Sequence, residues 1–263
     1  MNLGLHGKVA LVAAASRGLG RAIAEELAAE GASLVVCARH EESLMATRDA
    51  IAHATGADVR AVVADVATLE GIEHVAGETL RAFERVDVLV TNSGGPPAGP
   101  FEEHDWTAWQ QGVDLLLRSN IELTRRVLPT MKAQRWGRIL AVTSIAVKQP
   151  VDGLVLSNAL RAGVTGAMRT LANEVAPFGI TVNTLLPGYT RTERVEQLDR
   201  ARAEREGVLP GDVRRRVEAQ IPMGRLGEPP EFAALAAFLA SERASYITGQ
   251  AIAVDGGWIR GLL

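Results

Sequence analysis

Residues that fix a fold or a chemistry by themselves are scarce in this sequence. One cysteine, Cys37, stands among 263 residues, which excludes an internal disulfide framework and any cysteine-rich metal site. Five histidines (His6, His40, His53, His74 and His104) are scattered without paired ligand spacing, so no metal centre is expected. Aromatic residues make up 4%, and Tyr189 and Tyr246 are the only phenols. Charge of one sign is also lacking: a formal net charge of -3 argues against a nucleic-acid partner or a membrane surface bound through bulk electrostatics. The first apolar run stops at Ser16 and Arg17, too short to cross a bilayer. It has no charged start, long apolar centre and cleavage site, so it reads as a first strand, and the expected compartment is the cytoplasm.

With 47% hydrophobic and 22% charged residues the composition is that of a globular protein, neither disordered nor fibrous. Short β-branched runs alternate with helical patterns, the signature of a parallel sheet with helices on both faces. Strands are expected near 8–14, 33–38, 58–66, 86–93, 137–144, 179–188 and 249–257. Helices are expected after residue 18, where Leu19, Ile23 and Leu27 share a face and Gly31 ends the pattern, and near 41–55, 72–83, 105–134, 157–176 and 229–241. Residues 190–222 are rich in Arg and Glu with few apolar positions. They read either as a lid over about 193–221 or as a solvated helical insertion. With no linker or repeat, the expectation is one α/β domain over 1–263, doubly wound on seven parallel strands.

After the first strand comes "AAASRGLGRAIA", with Ala14, Gly18 and Gly20 spaced as a G-x-x-x-G-x-G turn. Such a turn lets the backbone of Ser16, Arg17, Gly18, Leu19 and Gly20 approach a pyrophosphate at a helix N-terminus. A purely structural tight turn is the competing reading. Ala14 occupies the first glycine position, where a Cβ is harmless at negative φ and obstructive at positive φ.

These segments, with "ADV" (64–66), "TNSGG" (91–95), "LLPGYTRT" (185–192) and "ITGQAIAVDGG" (247–257), resemble in order and spacing the classical short-chain dehydrogenase/reductase family, a Rossmann-fold family, and particularly its 3-oxoacyl-(acyl-carrier-protein) reductase branch. The resemblance implies that Asp65 and Val66 hold an adenine, that Asn92, Ser93 and Gly94 pass under a nucleotide, and that Pro187, Gly188 and Thr192 border its nicotinamide and pyrophosphate. It also implies a homodimer or homotetramer. For Asn92 and Gly94 a simple strand-end turn is the alternative. An acidic residue closing the second strand would chelate a ribose 2'-hydroxyl and repel a 2'-phosphate. This chain has "CARH" there, with Arg39, and Arg17 sits in the glycine turn. Guanidinium groups suit bidentate phosphate contact, so NADP(H) is favoured over NAD(H), against the reading of both as surface charges.

In the resembling family a tyrosine exchanges a proton with the substrate oxygen and a lysine four residues later lowers its pKa. A serine orients the carbonyl, and an asparagine on the preceding long helix supports a relay water. By register Ser144 falls on the serine, Ser157 on the tyrosine, Arg161 on the lysine and Leu116 on the asparagine. An alkyl hydroxyl is a far weaker acid than a phenol of pKa about 10, and an arginine does not relay protons. Tyr189, after Pro187-Gly188, is the substitute donor to consider, with loop packing as its alternative; Lys148 is near enough to Ser144 in sequence to line the same mouth. Ser144 has a strand-end cap as its alternative. Ser144 and Arg161 also resemble two members of the serine-tyrosine-arginine set of halohydrin dehalogenases, whose tyrosine is missing here.

Two functions stand against each other. One is an NADP(H)-dependent oxidoreductase on a small carbonyl or hydroxyl substrate, an acyl thioester included, with an atypical proton donor. The other is a catalytically impaired nucleotide-binding sensor or partner subunit.

Overall fold

The computed structural model describes residues 2–262. Among them, seven strands form one parallel sheet: β1 (Val9–Ala13), β2 (Ser33–Ala38), β3 (Val59–Val63), β4 (Val88–Thr91), β5 (Gly137–Val142), β6 (Ile180–Pro187) and β7 (Ala251–Val254). The spatial order is β3-β2-β1-β4-β5-β6-β7. The helices are α1 (Gly18–Ala29), α2 (Glu41–Thr55), α3 (Leu69–Phe83), α4 (Trp106–Gly112), α5 (Ser119–Gln134), α6 (Val155–Val175), α7 (Glu193–Glu206), α8 (Pro210–Gln220) and α9 (Pro229–Ala240). This is the expected Rossmann arrangement.

Strand β1 reads VALVA and is buried throughout because both faces of the sheet are covered. Ala10 and Val12 join a core with Ile23 and Leu27 of α1, Leu44 of α2 and Phe232 of α9. Leu11 and Ala13 join the opposite core with Ile72 and Val75 of α3, Val127 of α5 and Val164 and Met168 of α6. The period-two alternation of a strand thus feeds two layers at once, and each fully buried Leu, Ile or Val side chain contributes roughly 1.5–3 kcal/mol of transfer free energy.

Several boundaries differ from the sequence reading for local reasons. Helix α3 begins at Leu69, earlier than expected, because Thr68 Oγ1 accepts from Gly71 N at 3.0 Å and caps it. The expected helix over 105–134 widens to a π-helix at Val113–Arg118 between α4 and α5. The charged segment 190–222 is helical. Its few apolar positions suffice because Val217 and Ile221 join Ile145, Leu186, Leu226 and Trp258 in a third cluster. Asp199, buried on α7, pairs with Arg214 of α8 at 2.6 Å.

Strand β1 lies between β2 and β4, so the chain reverses its direction of growth across the sheet at this point. A crevice opens at the carboxyl ends of the strands at such a reversal, and that is where a ligand site is expected.

Candidate functional site

A cleft of about 480 Å³ occupies this crevice. The carboxyl ends of six strands supply it: Ala14 after β1, Arg39 after β2, Asp65 and Val66 after β3, Asn92, Ser93 and Gly94 after β4, Ser144 after β5, and Pro187 and Gly188 of β6 and its end. Ser16, Arg17, Gly18 and Leu19 line it from the glycine turn, Thr192 from the start of α7, and Ser157 and Arg161 from α6.

The turn after β1 is tightly determined. Gly18 has φ +56, in the region that favours glycine. Gly20 does not face the cleft; a Cβ there would stand 2.3 Å from Ala14 O, so glycine is needed for α1 to pack against the end of β1. Ala14 itself adopts φ +50, the obstructive case, a conformation that disfavours an L side chain by roughly 1–2 kcal/mol. Thr47 Oγ1 donates to Ser16 O at 2.9 Å and pins the turn from α2. The N-cap of α1 is Arg17, whose side chain makes no cap hydrogen bond. The first-turn amides of α1 therefore lack a side-chain acceptor beside a cleft, the arrangement that favours an anion.

Around this turn, Asp65 Oδ1 accepts from Ala67 N at 2.9 Å, holding the carboxylate at the end of β3. Gly71, which sequence reasoning did not single out, is required here: its Cβ would lie 2.1 Å from Asp65 O. Arg17 pairs with Glu193 of α7 across the cleft mouth. Arg39 is exposed on the rim and has no carboxylate partner among the described residues.

At the other end of the cleft, Ser144 Oγ accepts from Ala146 N at 3.1 Å, so Ser144 both caps a helical turn and lines the site. Ser157 Oγ accepts from Arg161 Nε at 3.2 Å. Arg161 also donates to Val142 O at 3.1 Å and to Gly94 O at 3.4 Å. Burial lowers its pKa to about 10, and the positive charge of Arg194 acts in the same direction. It stays protonated at neutral pH.

Tyr189 does not line the cleft. Its ring stands edge-on to Trp258 at 5.8 Å between centroids, within the third cluster, and burial raises its pKa above the ordinary phenol value. Tyr246 is fully exposed before β7, and Lys148 is exposed outside the cleft lining. Leu116 is buried in the π-helical turn, and its carbonyl accepts from Asn120 Nδ2 at 2.7 Å. The cleft also contains residues that the sequence reading missed, above all Arg194 on α7. Its Nη2 donates to Pro96 O at 2.7 Å, and a Cβ on Gly95 would fall 2.6 Å from its guanidinium. The one sequence signal for it is the second glycine of "SGG", which makes room.

A seven-stranded, doubly wound sheet with a glycine-turn cleft at its reversal point defines a dinucleotide-binding class of α/β protein. The family model described as Enoyl-(Acyl carrier protein) reductase matches residues 13–259. The chain is 37% identical over 255 residues to the 3-oxoacyl-[acyl-carrier-protein] reductase FabG of Escherichia coli, covering 97% of this chain and 98% of that protein. It is 33% identical over 257 residues to the Aquifex aeolicus FabG, covering 98% and 99%. Among solved structures, L-sorbose reductase from Gluconobacter frateurii, complexed with NADPH and L-sorbose, superposes with a TM-score of 0.94 at 33% identity over the whole of both chains. An actinorhodin polyketide ketoreductase variant with NADPH gives 0.93 at 32% identity, covering 97% of this chain and 98% of the other. The chain belongs to the short-chain dehydrogenase/reductase family.

Proposed function

We propose that the protein is an NADP(H)-dependent oxidoreductase of 3-oxoacyl-reductase type, acting on a small carbonyl or hydroxyl compound at an active site without the family's Tyr-x-x-x-Lys pair. The observation that carries this reading is the uncapped N-terminus of α1 opening on a cleft whose rim bears Arg17 and Arg39. The amides of Ser16 to Gly20 suit a pyrophosphate, and the two guanidinium groups suit a 2'-phosphate. Asp65 and Val66 flank the adenine end. Asn92, Ser93 and Gly94 form the floor, and Pro187, Gly188 and Thr192 border the nicotinamide end.

A nicotinamide held at this end by Pro187, Gly188 and Thr192 would supply or accept the hydride. Ser144 accepts one backbone hydrogen bond and keeps its own O–H to donate to a carbonyl oxygen. Ser157 likewise accepts from Arg161 and keeps its proton. Among the described residues neither Tyr189 nor Tyr246 lines the cleft, so the proton on the substrate oxygen comes from water held by these two hydroxyls. A positioned general acid accelerates such a step by about 10² to 10⁴, and turnover is slower by that order. α7 lies over the cleft through Glu193, Arg194, Val195 and Leu198, as a lid would. β7 is an edge strand with all four residues only partly buried, which supports pairing of subunits into a homodimer or homotetramer.

The test is a fluorescence titration with NADPH followed by a screen of ketones and 3-oxoacyl thioesters for NADPH oxidation. Submicromolar to micromolar binding with slow turnover is expected. Absence of NADPH binding overturns the reading. The missing phenol also favours a second reading, a nucleotide-binding sensor or partner subunit; tight binding, no turnover across the screen and a co-purifying partner decide for it.

A further inference from the structure

Most arginines of this chain reach a carboxylate; among those that reach none in the described residues, Arg39 is exposed on the cleft rim, whereas Arg161 and Arg194 are drawn into the cleft. Both lie in the cleft, and burial disfavours the charged form of each. They converge on adjacent residues: Arg161 donates to Gly94 O, while Arg194 lies across Gly95 and donates to Pro96 O. Of the five N–H donors on each guanidinium, two on Arg161 and four on Arg194 have no protein acceptor. Asp65 and Glu193 are the acidic residues of the cleft lining; Asp65 sits at the end of β3 and Glu193 is engaged by Arg17. Two like charges brought together in a partly desolvated site, with spare donors and no counterion, are stabilised by an anion that enters with the ligand.

We propose that Arg161 and Arg194 form an anion clamp at the reacting end of the cleft, and that the carbonyl substrate is an oxo acid whose carboxylate they bind. This rests on the reductase reading for the word substrate. The position supports a substrate anion over the cofactor's pyrophosphate. Phosphate-binding geometry lies at the uncapped α1 N-terminus, whereas Arg161 is bonded to Ser157, and Arg194 reaches across Gly95 to Pro96 O, next to the Gly94 carbonyl that Arg161 holds. Ser157, small where a phenol would project, leaves open the space beside Arg161. The carboxylate lies between the two guanidinium groups, with the adjacent carbonyl oxygen toward Ser144. Gly95 belongs to the same device, because any Cβ there displaces Arg194.

The test is calorimetric binding of phenylglyoxylate and 4-methyl-2-oxopentanoate, each against its methyl ester and against an acetoacetyl N-acetylcysteamine thioester. Wild type, Arg194→Gln, Arg194→Lys and Arg161→Gln are compared, with thermal melting as a check of folding and NADPH titrated separately. At least one acid is expected to bind ten-fold or more tighter than its ester. Both glutamine variants are expected to remove that preference, Arg194→Lys to retain part of it, and NADPH affinity to change less than two-fold in Arg194→Gln. Equal binding of acid and ester, preference for the neutral thioester, or a preference that survives both glutamine variants overturns the clamp. A loss of NADPH affinity in Arg194→Gln as large as the loss of acid affinity also overturns it, since the anion held is then the cofactor's. Failure of NADPH to bind, with the arginine-dependent acid preference intact, overturns the reductase reading and leaves the clamp standing.

Discussion

Replacing Arg39 by alanine separates the 2'-phosphate from every other part of the cofactor. Arg39 is exposed on the cleft rim, makes no ion pair among the described residues and packs into no core, so its removal should leave the fold unchanged. A charge-assisted hydrogen bond contributes about 1.5–3 kcal/mol, which is about a 10- to 150-fold loss of NADPH affinity. Arg17 differs because Glu193 already holds it. Breaking an exposed ion pair costs about 0.2–1 kcal/mol, so Glu193→Gln should tighten NADPH binding by about 1.5- to 5-fold. The assay is the change in nicotinamide fluorescence on titration with NADPH and with NADH, for wild type, Arg17→Ala, Arg39→Ala and Glu193→Gln. NADPH affinity should fall in both arginine variants while NADH affinity stays within two-fold. Equal losses for the two nucleotides would refute the phosphate assignment.

Gly20→Ala places a Cβ 2.3 Å from Ala14 O, and overpacking of this kind costs about 1–3 kcal/mol; thermal melting should fall by about 2–10 °C, together with NADPH affinity. Cys37 is fully buried, and burial raises its pKa from 9.0 to about 12. At pH 8 its thiolate fraction is about 10³-fold below that of a free thiol, so an aromatic disulfide reagent should label it only on unfolding. Because the folded state holds the proton more tightly, this thiol's contribution to stability is full below about pH 9 and is lost as the pH rises toward about 12. Denaturant midpoints of wild type and Cys37→Ala should therefore differ by a constant amount below about pH 9 and converge as the pH rises from there toward about 12. Size-exclusion chromatography with light scattering should report a dimer or tetramer; a monomer at micromolar concentration would refute the oligomer expectation.

The sheet was readable because parallel strands buried on both faces appear as continuous apolar runs, and "VALVA" is one. The charged segment 190–222 was not resolved by periodicity, since two exposed helices need only Ala203, Val213 and Val217 as buried apolar residues. Most of the glycine turn was legible from its spacing, but the φ of Ala14 was not, because the sequence carries no dihedral. Ser144, Ser157 and Arg161, which line the cleft from the end of β5 and from α6, were picked out by register alone. Tyr189 was adjacent in sequence to the cleft yet faces Trp258, a direction that depends on tertiary packing. Arg194 escaped notice because it is one of several arginines in a charged run, and only the third dimension sets it over Gly95.

The central claim is that this family cleft keeps its nucleotide site and has lost its proton relay, with Ser157 and Arg161 where the Tyr-x-x-x-Lys pair would stand. Its most direct test is the rate of NADPH oxidation with a carbonyl panel, oxo acids and neutral ketones included, for wild type and for the double variant Ser157→Tyr with Arg161→Lys. The account predicts retained NADPH binding and a rate increase of about 10² or more for at least one substrate. Retained binding with no increase for any substrate would contradict it.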